Sequence, residues 1–282
     1  MTTPSAQNGA PPEQASLASA ACGVLKTAPA RQKAARARAV AADWAAGRLD
    51  WRFDCLPGQR PARPAHPELR APGEMPKRRK AGTPASRVAL IHAVAHIELN
   101  AIDLAFDIVA RFGHLFPRAF SDDWVRVGDD EARHFLMLDN RLAAFDSHYG
   151  ALPAHDGLWQ SSEATAGDVL ARLAVVPMVL EARGLDVTPD MVKRLHGHED
   201  HETARLLGII YEDEKSHVAA GSDWFHHLCA ERDLDPEATF QAKVRACFNG
   251  TLKPPFNRPA RDEARLPVTF YEPLAAMLEH GI

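Results

Sequence analysis

Four glutamates and two histidines stand at spacings that could build a metal centre: Glu98, then Glu131 with His134, then Glu181, then Glu214 with His217. The two pairs lie in Asp130-Glu131-Ala132-Arg133-His134 and Asp213-Glu214-Lys215-Ser216-His217. Each pair follows a lone glutamate by the same interval of 33 residues. On a helix, residues three apart share nearly one face, so the Glu and His of each pair can reach one point in a helical core. A Glu from each of two helices, with Glu-x-x-His from each of two others, is a ligand set that takes two iron or two manganese ions.

The competing reading is four solvated glutamates and two surface histidines, because most glutamates are exposed. The neighbours argue against it. Glu98 shares its face with Ile91, Val94, Ala95, Ala101, Ile102 and Ala105, and Glu181 shares its face with Leu170, Leu173, Ala174, Pro177, Met178 and Leu185. A lone carboxylate in such surroundings would cost several kcal/mol or take up a proton. Two divalent cations would balance the four negative ligands. Oxygen and imidazole donors suit iron, with manganese as the alternative, and no thiolate is placed to favour zinc. Asp130 and Asp213 are placed to accept the second N–H of the ligand histidines and fix their tautomer. Tyr211, three residues before Glu214, is either a hydrogen-bond partner of the site or a core tyrosine. His92 and His96 flank the Glu98 face and read as structural or as supports behind the ligands, with a separate metal site on their four-residue spacing as the lesser alternative. His196, His198 and His201 read as a polar loop, and His226-His227 straddles a helix end.

These residues need four helices, expected over 86–112, 121–147, 162–183 and 200–230. Ser121-Asp122-Asp123 reads as a cap for the second. Pro177 predicts a kink one turn before Glu181, and Gly184 predicts the end of the third helix. Asp186 to Asp190 reads as a turn. A long crossover, about 149–161, joins the two hairpins. The fold class is therefore all-α, a four-helix bundle over 86–230. Residues 1–14 read as disordered. Residues 15–85 read as an extension, helical at first, then Pro-rich and basic, and 231–282 as a helix and Pro-rich tail. Trp44 and Trp51 are expected to anchor the N-terminal extension. Seven prolines between 57 and 86 exclude a regular helix there.

The composition is ordinary for a globular protein, 46% apolar and 25% charged over 282 residues. A net charge of −4 excludes polyanion binding by bulk charge. The scattered Cys22, Cys55, Cys229 and Cys247 fit neither a disulfide scaffold nor a zinc ribbon, and suit a reducing cytoplasm. No stretch reads as a membrane span or a secretory signal, so a cytoplasmic location is expected.

With its doubled Asp-Glu-x-x-His, the chain resembles the ferritin-like superfamily of dimetal carboxylate proteins over residues 85 to 230. The stretches His92-Ala93-Val94-Ala95-His96-Ile97-Glu98 and Ala154-His155-Asp156-Gly157-Leu158-Trp159 also resemble an uncharacterised bacterial ferritin-like family. In oxygen-activating relatives the Asp before Glu-x-x-His supports a ligand histidine, and Asp130 and Asp213 match that position. The resemblance implies a ferritin-like bundle and a di-iron oxidoreductase, an oxygen-activating hydroxylase or oxygenase. Such an enzyme would take a small-molecule substrate and dioxygen, with electrons from a partner reductase. Iron storage with ferroxidase activity, a di-manganese catalase and a structural metal scaffold are the alternatives. A more distant resemblance to the tRNA isopentenyladenosine hydroxylase would give the basic run Lys77-Arg78-Arg79-Lys80 a phosphate to meet, although so short a run is more often a solvated segment. A homodimer would be common for such a bundle.

Overall fold

The computed structural model describes residues 14–71, 74–75 and 82–276. The expected disorder at the N-terminus, the basic run 77–80, and Met277 and Leu278 of the tail lie outside the described residues.

The described residues are helical and contain no strand beyond two isolated bridges. The helices are α1 (Leu17–Leu25), α2 (Ala30–Ala45), α3 (Pro84–Phe112), α4 (Arg118–Ala143), α5 (Gly157–Ala164), α6 (Val169–Val175), α7 (Ala182–Gly197), α8 (His201–Glu231), α9 (Pro236–Cys247), α10 (Arg258–Glu263) and α11 (Val268–Ala276). A π-helical segment, Val176–Glu181, joins α6 to α7. α3 packs on α4 and α7 on α8, while α4 also meets α8. One buried apolar cluster runs from Leu17 in α1 through the central helices to Leu274 in α11.

Local chemistry explains where most helices begin. Thr83 and Ser86 form a capping box at α3, and the carboxylates of Asp200 and Asp235 accept the Thr203 and Ala238 N–H groups at α8 and α9. Each such cap is worth about 1 kcal/mol. α4 starts earlier than expected, at Arg118 after Pro117, so Ser121 is a buried helical residue and not a cap.

The third expected helix is the largest correction. It begins at Val169, passes through the π-helical segment, and continues past Gly184 and Pro189 to Gly197. Pro177 has no N–H to donate within the helix, and the chain answers by widening: the Ala182 N–H bonds to Pro177 O, five residues back. Gly221 on α8 makes room, since a Cβ there would lie 2.4 Å from Pro177 Cγ. Pro189 leaves the carbonyl of Leu185 without its helical donor. The side chain of Asn257 supplies one, donating from Nδ2 to Leu185 O at 3.0 Å. Arg261 then holds Asp186 through two 2.8 Å bonds, so the expected turn stays helical.

Both extensions are tied to the central helices through buried charge. Lys33 on α2 is fully buried against Asp103 on α3, and also donates to Ala62 O at 2.9 Å. Arg63 adds a second cation to Asp103 at 2.9 Å. Trp44 is buried and donates to Asp122 at 2.8 Å, as an anchor should. Trp51 is not an anchor: it is 43% exposed and meets Phe53 edge-on. All four cysteines are free thiols.

α3 with its following turn, 84–115, is long and apolar enough by composition to cross a membrane, contrary to the sequence reading. It is the core helix: 67% of its most apolar window is buried, and it carries buried Glu98, Asp103 and Asp107.

Candidate metal centre

The sequence motifs put Glu98 on α3, Glu131 and His134 on α4, Glu181 at the end of the π-helical segment, and Glu214 and His217 on α8. Two groups of three have donor atoms within 4.8 Å of one another and could hold a metal ion: Glu98 with Glu131 and His134, and Glu131 with Glu214 and His217. Glu131 belongs to both. Its two oxygens face different histidines, Oε2 at 3.4 Å from His134 Nδ1 and Oε1 at 3.0 Å from His217 Nδ1. His134 Nδ1 is also 3.1 Å from Glu98 Oε2, and His217 Nδ1 is 3.7 Å from Glu214 Oε2. Glu131, His134 and His217 have no exposed surface. Glu181 stands beside these groups and not within either, lining a pocket with Glu98 and Glu214.

The outer side of the site is built by exchange between α4 and α8. His134 on α4 meets Asp213 on α8 through Nε2 at 3.0 Å, and His217 on α8 meets Asp130 on α4 through Nε2 at 3.4 Å. Each Asp therefore supports the histidine of the opposite motif. With Nε2 turned to a carboxylate, Nδ1 of each ring is the nitrogen left facing the shared glutamate. Arg133 closes the arrangement by donating to Asp130 at 2.8 Å and to Asp213 at 2.7 Å. Ser216 occupies the equivalent place in the second motif, so one arginine serves both halves. The sequence reading missed Arg133, although it sits one turn after Asp130, where a helix surface pair is expected.

Tyr211 does not face a ligand in the described hydrogen bonds: its hydroxyl accepts from Asn257 Nδ2 at 3.1 Å. His92 and His96 are structural, as read. His92 Nε2 accepts the Gly150 N–H at 2.9 Å, and Tyr149 O–H donates to His96 Nδ1 at 2.8 Å. Burial pushes both imidazoles down to about 4, so they stay neutral while clamping the crossover. His196 and His201 meet each other on the exposed side, outside both ligand groups.

The donor set fits divalent cations. Glu181 Oε2 and Glu214 Oε2 are buried with no hydrogen-bond partner, and Glu131 Oε1 and His217 Nδ1, 3.0 Å apart, face each other without hydrogen-bond geometry. Buried polar atoms are seldom left so, and such orphans at a common point ask for an ion. Burial, with the neighbouring Glu131, drives Glu98 well above the usual carboxylate range. Burial and the Glu214 and Glu131 charges do the same to Glu181, and burial with Glu131 raises Glu214. Burial disfavours a charge on Glu131 too, but the His217 and His134 imidazoles overcome it and hold that carboxylate low. Burial likewise works against the imidazolium forms, yet Asp213 and Glu131 raise His134, and Glu131 and Asp130 raise His217. The hydrogen bond from His134, ahead of all else, brings Asp213 down to about 2.

A cation must therefore compete with protons for these groups. Burial and mutual repulsion favour protons on Glu98, Glu181 and Glu214 when no cation is present, so metal affinity should climb with pH and loading should release acid. An indicator dye during manganous titration checks this; a pH-independent affinity with no acid release would contradict it. Asp213→Ala should weaken metal binding about 10–100-fold by freeing the His134 ring. Competition against a chromophoric chelator measures the change, and an unaltered affinity would remove the assigned role.

The family described as Protein of unknown function (DUF455) matches residues 26–272. An uncharacterized protein of Haemophilus influenzae is 39% identical over 207 residues, covering 71% of this chain and 72% of its own length. No solved structure matches the chain.

Proposed function

We propose that this chain, which belongs to the DUF455 family, is a di-iron carboxylate oxidoreductase built on a ferritin-like four-helix bundle, and that it is an oxygen-activating hydroxylase or oxygenase. The observation that carries the reading is Glu131, whose two oxygens each face a different buried histidine, each histidine being backed by an aspartate from the opposite motif. Two iron ions, held by Glu98, Glu131, His134, Glu181, Glu214 and His217, would supply the reduction of dioxygen and the oxidation of substrate. The chain's own work is different. Asp130, Asp213 and Arg133 hold the imidazoles in one orientation, the carboxylates balance cation charge, and the apolar walls exclude water. Electrons would come from a partner reductase. The free thiols suit a cytoplasmic location. The tRNA reading rests on the distant resemblance and on the basic run Lys77–Lys80, and failure of labelled tRNA to bind at low salt would end it.

The test is anaerobic ferrous loading followed by oxygen, watched by absorption spectroscopy. The reading expects an oxygen-dependent absorbance change that Glu214→Ala removes. Iron taken up far beyond about two ions per chain would indicate storage. Peroxide disproportionation without reductant after manganese loading would indicate a catalase. Metal held with no response to oxygen would indicate a scaffold.

A further inference from the structure

Beside the carboxylates lies a pocket of about 150 Å³. Glu98, Glu181 and Glu214 border it, and the remaining wall is largely apolar, with Val94, Ile97, Leu104, Leu158, Val187 and Met191. Ile97 is 41% exposed, which places an apolar side chain where the pocket meets solvent.

Gly184 lines this pocket from within α7. A glycine inside a helix costs about 0.5–1 kcal/mol relative to alanine, so it calls for a reason. At two other helical positions the reason is a close neighbour: Gly128 lies against the Phe106 ring, and Gly221 against Pro177, whereas Gly208 on α8, like Gly184, has none. At Gly184 an added Cβ would meet nothing within 4 Å, and the backbone is not left-handed. Neither contact nor conformation requires glycine there. What the missing side chain leaves is the space of the pocket itself.

The polar groups at the pocket do not favour an anion. Arg183 donates to Lys253 O at 2.7 Å and lies 3.3 Å from Asp186, so its charge is already engaged. The three carboxyl groups on the same wall, protonated or not, offer an anion no positive charge. An apolar cavity of about 150 Å³ accommodates benzene. We propose that this pocket binds a neutral, apolar molecule of about benzene size, or the apolar end of a longer one, and that Gly184 sets how much of it fits. The assignment of that ligand as substrate rests on the oxidoreductase reading; the binding itself does not.

Fluorobenzene binding to the purified full-length chain, followed by ¹⁹F NMR without iron or oxygen, tests it. Wild type should bind saturably, and fluorobenzoate should compete poorly. Gly184→Leu should weaken binding at least about tenfold, the scale set by a lost methylene or more of pocket. Gly184→Ala should fold at least as stably as wild type and bind with intermediate affinity, which keeps the test valid if the leucine variant misfolds. No saturable binding, equal binding by both variants, or benzoate binding as well as benzene would overturn the proposal. Binding without any iron–oxygen response would sink the oxygenase reading alone, and the reverse result would sink only the pocket.

Discussion

Glu131→Ala should abolish metal retention at both ligand groups, taking the content from about two ions per chain to near none. Glu131 is the residue the two groups share, and each of its oxygens faces a different imidazole. Glu98→Ala and Glu214→Ala remove a donor from one group each, so they should leave the other group able to hold an ion. The contrast separates a shared site from two independent ones. Elemental analysis after identical loading and desalting reads it directly. Equal losses in all three variants would mean that the carboxylates act as one indivisible cluster, and full retention by Glu131→Ala would contradict the bridging role.

Arg172→Ala should lower the stability of the fold by about 3–5 kcal/mol, the usual consequence of breaking a buried ion pair. Arg172 on α6 is 1% exposed. It donates from Nη1 to Asp107 at 2.5 Å, from Nη2 to Ser162 O at 2.7 Å and from Nε to Thr165 at 2.9 Å. Its loss leaves Asp107 with Arg111 alone and removes one buried donor each from Ser162 O and Thr165 Oγ1. The same side chain ties α6 to the end of α5 and to α3, and α6 leads through the π-helical segment to Glu181. Denaturant unfolding measures the loss, and a chelator competition should show metal affinity falling with it. A change below about 1 kcal/mol would place Arg172 among residues whose charge is solvated, against its burial.

The site was legible because its residues obey helix periodicity within short segments. Glu-x-x-His needs only one turn, and the 33-residue interval needs only the sequence. The start of α8 was legible for the same reason: Asp200 caps its own helix three residues on. The third helix was misread because its continuity is not local. Gly184 and Pro189 look like a stop, yet the carbonyl freed by Pro189 is satisfied by Asn257, far along the chain. Arg133 was missed because its second partner, Asp213, lies on another helix. The burial of Lys33 was equally hidden, since a basic stretch in an Ala-rich helix gives no sign of the Asp103 that receives it. Trp51 failed the other way: an aromatic residue suggests packing, but this one is 43% exposed.

In the proposed function, six side chains from three helices and a π-helical segment hold a redox metal pair. The most direct measurement is the metal content of the full-length protein purified without chelators from cells grown with iron and manganese. About two ions per chain, predominantly iron, is the predicted result. Protein that is folded yet carries no metal, or zinc alone, would contradict it.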